Sequence, residues 1–291
     1  MNHCFVFGAP RSGTTYLLQC LSRLRGTECK IGPELLPVVV LHLVNQDLSP
    51  ERYRALRGIL ERGIDSYLVS EYNSRFRALG DWWRAPLQWR RLHHVVRRGS
   101  RPRPEWFVYK EPFLSLAPEF IFDSIPGAKA IYIYRDGRDV ANSLVESYDV
   151  LTDQELTHFQ SAEMRLGRPH VDRYVPWWVA EGREDEFLDS SPYVRAIWMW
   201  SYMVLRCRRY LRECDVGENV LQVQYETFVR DPYRIGSKIL DHLELEGTYA
   251  FHRHLDGART TSIGKHGRRP QEEIEAGGEV AEKALSDLGY T

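Results

Sequence analysis

Residues 4–21 read CFVFGAPRSGTTYLLQCL, and this stretch decides the fold. The apolar run from Cys4 to Phe7 predicts a strand, and the leucines at positions 17, 18, 21 and 24 recur at helical spacing until Gly26 can end the helix. Between strand and helix lies a loop that begins and ends with glycine. In that context successive backbone N–H groups and the helix N-terminus point at one anion, so the stretch predicts a phosphate-binding loop.

The loop from Gly8 to Thr15 has the glycine spacing of nucleoside-triphosphate-binding loops, but Thr14 stands where those loops carry a lysine. The cation is Arg11, within the loop. An arginine beside the hydroxyls of Ser12, Thr14 and Thr15 can clamp a phosphosulfate without a metal ion. The alternative, a strand-to-helix turn whose glycines serve only tightness, does not account for the arginine and the hydroxyls.

A second candidate anion site begins at Arg135, at the end of the predicted strand Ala130 to Tyr134. The run Arg-Asp-Gly-Arg-Asp at 135–139 leads into a helical pattern, with Ser143 in its early turns. Arg135 and Ser143 could therefore reach one phosphate at the carboxyl edge of the sheet. Alone, such a turn is more often an ion-paired helix start, and it indicates a phosphate site only beside the first loop.

Strands and helices alternate along the rest of the chain. Further strands are predicted at Trp106 to Tyr109 and Asn219 to Gln224, with a long helix around Val194 to Leu205. The pattern predicts an α/β fold with one P-loop-type domain over residues 1–291 and a mainly parallel sheet of four or five strands. Two insertions, about 35–104 and 150–191, interrupt it.

Composition narrows the function classes. The 291 residues carry a net charge of −1, so no overall field favours nucleic acid or a membrane surface. The five cysteines lack metal-type spacing, which favours reduced thiols and no metal site. The start of the chain has no signal-peptide pattern, and the apolar stretch Leu35 to Val44 is too short to span a bilayer, so we expect a cytoplasmic protein.

Together these motifs resemble those of sulfotransferases that use 3′-phosphoadenosine-5′-phosphosulfate (PAPS) and release adenosine 3′,5′-bisphosphate (PAP). Two further elements occur in the expected order, YKEPF at 109–113 and VQYETFVRDP at 223–232, and the tail ALSDLGY at 284–290 is similar to bacterial members. The motif details are closest to tyrosylprotein sulfotransferases and allied bacterial enzymes. Tyr109, at a position where a disulfide cysteine can lie, departs from that branch.

The resemblance implies a role for each matching residue. The 5′-phosphosulfate would be held by the loop residues Arg11, Ser12, Gly13, Thr14 and Thr15. Arg135 and Ser143 would hold the 3′-phosphate, and Tyr225 would lie against the adenine. A late loop, Ser262 to Arg268, would reach the 3′-phosphate with Lys265 and Arg268, by a looser match.

The resemblance also frames the search for a catalytic base. Small-molecule sulfotransferases carry a histidine where this chain has Pro112, so a carboxylate is expected instead. Glu34 matches the approximate position of the catalytic glutamate in the tyrosylprotein branch, although it could be an ordinary loop residue. Glu111 is the alternative base, or a surface partner for an arginine. Lys110 and Arg11 would share the charge that develops during transfer.

The acceptor is left open among carbohydrates, lipids, small molecules and peptide tyrosines, with a hydroxyl or an amine receiving the group, and so is the oligomeric state. Two other functions are considered: a P-loop small-molecule kinase and a non-catalytic nucleotide-binding module. Several weaker signals have ordinary explanations in surface solvation or core packing, namely His93–His94, the basic segment Arg90 to Arg103, Trp82–Trp83, Trp89 and Trp177–Trp178.

Overall fold

The protein is described by a computed structural model that covers residues 1–31, 48–72, 74–84, 93, 96–97, 103–161, 167–214 and 216–290. Its strands are β1 (Asn2–Phe7), β2 (Thr27–Ile31), β3 (Trp106–Lys110), β4 (Lys129–Tyr134), β5 (Gly167–His170), β6 (Arg173–Pro176) and β7 (Val220–Gln224). Its helices are α1 (Thr14–Leu21), α2 (Pro50–Ser70), α3 (Arg75–Arg84), α4 (Glu119–Ser124), α5 (Gly137–Ser147), α6 (Asp153–Ser161), α7 (Glu184–Asp189), α8 (Pro192–Glu213), α9 (Tyr225–Arg230), α10 (Pro232–Leu243), α11 (Tyr249–Leu255) and α12 (Gln271–Leu288).

The main sheet has five strands in the order β2-β3-β1-β4-β7, and each neighbouring pair is parallel. The predicted α/β class with a mainly parallel sheet is therefore confirmed. The predicted strands lie within two residues of β1, β3, β4 and β7. The edge strand β2 was not predicted, because its sequence TECKI mixes polar and apolar residues.

Both faces of β1 are buried, which explains its unbroken apolar sequence. Phe5 and Phe7 belong to the apolar core on one side of the sheet, which includes Trp200 of α8. Cys4 and Val6 belong to the core on the other side, where α1, α10 and α11 pack. Burial also raises the pKa of the Cys4 thiol to about 12.

The region of the second predicted insertion contains a hairpin that was not foreseen. Strands β5 and β6 pair antiparallel, with Gly167 opposite Pro176. A side chain at Gly167 would place its Cβ 2.0 Å from the carbonyl oxygen of Val175, so glycine is required there. Trp177 and Trp178 follow the hairpin and pack against the main core, the ordinary role expected for them.

Within these described ranges, no helix has both the length and the apolar composition needed to cross a lipid bilayer.

Candidate functional site

A cleft of about 560 Å³ opens at the carboxyl edge of the main sheet. Loops that follow β1, β3 and β4 meet there, because parallel strands end on the same side of a sheet. The lining includes most of the site residues predicted from the sequence, namely Arg11, Gly13, Thr14, Thr15, Lys110, Arg135, Ser143, Tyr225 and Lys265. Residues more than 100 positions apart are thus brought into one cavity.

The two glycines of the first loop are fixed by packing. Gly8 has a φ of +152°, and a Cβ there would lie 1.9 Å from the carbonyl oxygen of Ile133 in β4. Gly13 has a φ of +96°, and its Cβ would lie 2.5 Å from the ring of Tyr225. The loop therefore presses directly on β4 and on the start of α9. Both positions need glycine for their backbone conformation and for space.

The start of α1 offers hydrogen-bond donors to the cleft. Gly13 precedes α1 and, lacking a side chain, caps none of its first N–H groups. Ser12 is fully buried beside it, and its Oγ has no hydrogen-bond partner among the described residues. Unpaired donors at a helix N-terminus favour an anion.

Arg135 is the buried cation of the site, with 5% of its surface exposed. It donates from Nη1 to the carbonyl oxygen of Arg11 at 3.2 Å and from Nη2 to the carbonyl oxygen of Ser262. Its guanidinium carbon lies 4.8 Å from the ring centre of Tyr225. Its Nε is buried and has no partner among the described residues. A buried donor without a partner costs about 1–3 kcal/mol, so this nitrogen favours an incoming acceptor.

Arg11 connects the first loop with α5. It adopts the left-handed region with a φ of +69°, which costs an ordinary residue about 1–2 kcal/mol. Its Nε donates to Ser143 Oγ at 3.0 Å and its Nη2 to Ser147 Oγ at 3.3 Å, while Tyr148 lies 5.7 Å from the guanidinium. The Arg11 side chain is therefore directed at α5. Sequence reasoning missed Ser147, although its spacing of four from Ser143 places both serines on one helix face.

Tyr225 and the late loop close the cleft on the side of α9. The Tyr225 hydroxyl is 2.8 Å from the Oγ of Ser262, the first residue of the late loop. Lys265 lines the cleft, whereas Arg268 is exposed and is not among the lining residues. The expected late-loop pair is thus divided: only Lys265 reaches the cleft.

Lys110 and Glu111 differ in their surroundings although they are adjacent. Burial lowers the pKa of Lys110, against the opposing charge of Glu111, and the lysine lines the cleft. Burial raises the pKa of Glu111, while the Phe113 N–H and Lys110 oppose that shift. Glu111 Oε1 accepts from the Phe113 N–H at 3.1 Å and so caps the 3₁₀ helix Pro112–Leu116. Glu111 therefore has a structural function at this position.

Glu34, the preferred candidate base, lies outside the described residues. The chain leaves β2 at Ile31, which is the register partner of Lys110 in the neighbouring strand β3. Ile31, three residues before Glu34 in the sequence, thus lies at the cleft edge of the sheet. Among the described residues that line the cleft, none is a carboxylate or a histidine. Nor do the described residues contain a group of three or more His, Cys, Asp or Glu side chains arranged to hold a metal ion.

Comparison with known proteins adds family evidence. A model of the sulfotransferase family matches residues 4–249. The sulfotransferase domain of the curacin biosynthetic pathway is 16% identical to this chain and superposes with a TM-score of 0.51. The aligned region spans 100% of this chain and 98% of that domain. A sulfotransferase from Alicyclobacillus acidocaldarius is 16% identical over 99% of this chain and 94% of its own, with a TM-score of 0.48. A mouse sulfotransferase complexed with PAP is 12% identical over 98% and 84%, with a TM-score of 0.46. None of the curated protein sequences gives a significant match. At 16% identity, the likeness to the curacin-pathway domain supports the fold alone.

Proposed function

The chain belongs to the sulfotransferase family, and from this premise we propose that it transfers a sulfuryl group from PAPS to a hydroxyl or an amine of an acceptor. The observation that carries the proposal is one cleft lined by two candidate anion-binding groups: residues of the loop Gly8 to Thr15, and Arg135 with Ser143. A donor with a 5′-phosphosulfate and a 3′-phosphate has two anionic groups to place.

The residues present fit such a donor. Ser12 Oγ and Arg135 Nε are buried polar atoms that lack partners among the described residues, one at each anion-binding group. The hydrogen bond from the Arg135 side chain to the carbonyl oxygen of Arg11 ties the two groups together. Tyr225, packed on Gly13 and under Arg135, presents its ring beside both of them. We assign Ser12, Gly13, Thr14 and Thr15 to the phosphosulfate, and Arg135, Ser143 and Lys265 to the 3′-phosphate.

The chain's residues would act by position and charge. The bound donor supplies the sulfuryl group that is transferred. Lys110, at the end of β3, would stabilise the negative charge that grows on the leaving phosphate oxygen. The Arg11 guanidinium is bonded to α5 in this structure. To share this role it would have to turn toward the loop. The helix N-terminus of α1 adds a fixed partial positive charge at the same point.

We propose that Glu34 removes the proton from the acceptor. Glu34 follows the end of β2 by three residues in the sequence, and that end, Ile31, is the register partner of Lys110. The described lining of the cleft contains no carboxylate or histidine. Glu111 is less suited to the role, because its carboxylate is occupied by the Phe113 N–H. A positioned base contributes about 10²- to 10⁴-fold to such a reaction.

The test is calorimetric titration of the protein with PAP and, separately, with ATP plus magnesium. We expect metal-independent binding of PAP that is weakened at least about tenfold in Arg135→Ala, since a charge-assisted hydrogen bond is worth about 1.5–3 kcal/mol. Preference for magnesium-ATP would favour the kinase alternative and overturn the proposal. Binding of PAP without transfer to any acceptor in a broad panel would favour a non-catalytic module.

A further inference from the structure

Asp139 is a buried carboxylate in the first turn of α5 that bonds to a distant loop. Only 2% of its surface is exposed. Its Oδ2 accepts from the Gly264 N–H at 2.7 Å, and its Oδ1 accepts from the His266 N–H at 3.0 Å and from His266 Nδ1 at 2.8 Å. Because an ionised carboxylate only accepts, His266 Nδ1 carries the proton. Three hydrogen bonds thus join one side chain to the late loop.

Lys265 lies between the two residues that Asp139 binds. The loop is also attached upstream, where Ser262 meets Arg135 through its carbonyl oxygen and Tyr225 through its hydroxyl. Lys265, which lines the cleft, is therefore carried by a segment that is fastened on both sides. Such attachment fixes the backbone from which the lysine reaches an anion and lowers the entropy lost on binding.

The position of Asp139 is electrostatically unfavourable for an anion site. Its Oδ2 is 3.7 Å from Arg135 Nη2, so it offsets the charge of the buried cation. Burial by itself would raise the pKa of Asp139, but the hydrogen bonds from His266 and Gly264 and the charge of Arg135 outweigh it and lower the pKa. The carboxylate thus stays ionised at neutral pH. A carboxylate beside a phosphate site repels the phosphate, so we expect Asp139 to contribute to binding in another way.

We propose that Asp139 is a positioning residue of the donor site, which holds the late loop so that Lys265 faces the 3′-phosphate. This inference rests on the proposed function, since it assumes a ligand with a 3′-phosphate. It extends the site to two residues, Asp139 and His266, that need not touch the donor. The specificity for a 3′-phosphate would then depend on a carboxylate.

The direction in which one substitution changes the affinity for PAP distinguishes a positioning role of Asp139 from a purely Coulombic one. Asp139→Asn removes the negative charge, so a purely Coulombic role predicts tighter PAP binding. The amide has one oxygen, and its NH₂ cannot accept from the loop, so a positioning role predicts weaker binding. We expect the affinity for PAP to fall about tenfold or more, the effect of losing one charge-assisted contact. The affinity for adenosine 5′-monophosphate, which lacks the 3′-phosphate, should change less than threefold.

Two variants of His266 keep the inference testable if Asp139→Asn fails to fold. The amide nitrogen of asparagine falls near the place of Nδ1, and that of glutamine near the place of Nε2. His266→Asn should therefore retain most of the discrimination between PAP and adenosine 5′-monophosphate, whereas His266→Gln should lose part of it. Equal discrimination in both variants would contradict the role of the Nδ1 hydrogen bond.

Asn142→Ala is the matched control, because Asn142 also lies on α5 and is buried. Its Oδ1 accepts from Arg269 Nε at 2.8 Å, just beyond the late loop. Asn142→Ala should lower the melting temperature and leave the ratio of the affinities for PAP and adenosine 5′-monophosphate unchanged. If wild type binds PAP and Asp139→Asn binds it as tightly or more tightly, the positioning role is wrong while the proposed function stands. If wild type does not prefer PAP over adenosine 5′-monophosphate, the proposed donor itself is wrong.

Discussion

Gly13→Ala should destabilise the protein and displace Tyr225 from the first loop. The new Cβ would lie 2.5 Å from Cδ2 and 2.9 Å from Cε2 of the tyrosine ring, closer than real contacts allow. Insertion of a methyl into a packed site costs about 1–3 kcal/mol. The φ of +96° adds about 1–2 kcal/mol for any residue with a side chain. We therefore expect a loss of about 2–5 kcal/mol in the free energy of unfolding.

The chain provides a control that separates the two causes. Gly127 has a φ of +79°, and a Cβ there would meet no heavy atom within 4 Å. Gly127→Ala should lose only the conformational part, about 1–2 kcal/mol. The difference between the two variants, measured by urea denaturation, reports the overlap with Tyr225. In a Tyr225→Ala background, the overlap is absent. Gly13→Ala should therefore destabilise Tyr225→Ala by little more than Gly127→Ala destabilises the wild type.

Ligand binding extends the same test to the site. Tyr225 lies under Arg135 and bonds to Ser262, so its displacement should weaken PAP binding at least about tenfold, a change of roughly 1.4 kcal/mol. Gly127→Ala should leave PAP binding unchanged. Equal destabilisation by the two alanines, together with unchanged PAP affinity in Gly13→Ala, would refute the reasoning.

Two predictions concern the transfer step. Glu34→Gln should leave PAP affinity unchanged and lower turnover by about 10²- to 10⁴-fold. Glu111→Gln should retain the hydrogen bond to the Phe113 N–H and most of the turnover. The reverse pattern in steady-state assays would assign the base to Glu111. Burial lowers the pKa of Lys110, so turnover should fall as pH rises through that lowered value and the cation is lost. Lys110→Arg, which stays charged, should move this alkaline limb to higher pH, and an unmoved limb would show that another group titrates.

The strands and helices that could be located from the sequence are those marked by a local pattern of apolar residues. β1 and β4 are buried on both faces and therefore read as continuous apolar runs, and each leads directly into a helix with its own periodicity. The two candidate anion-binding loops were found from these strands, because the ends of parallel strands share an edge. β2, at the edge of the sheet, and the short hairpin β5–β6 carry polar residues and gave no such signal.

The details of the site depend on long-range contacts that local sequence patterns do not reveal. The looser match placed both Lys265 and Arg268 at the 3′-phosphate, but the 3₁₀ helix Lys265–Arg268 leaves Arg268 exposed. Asp139 was read only as part of an arginine- and aspartate-rich turn, because its partners Gly264 and His266 follow more than 120 residues later. The assignments of Glu34 and of the acceptor stay predictions.

The central position of β1 has a consequence for how the chain folds. β1 lies between β3 and β4, and its partners in register include Trp106 and Lys129. Its apolar residues cannot be covered in the sheet until those distant segments have formed. Non-local pairing of this kind slows folding and exposes an aggregation-prone strand in the meantime. We expect recombinant yield to improve at low temperature or with added chaperones, and refolding from dilute solution to outperform refolding from concentrated solution.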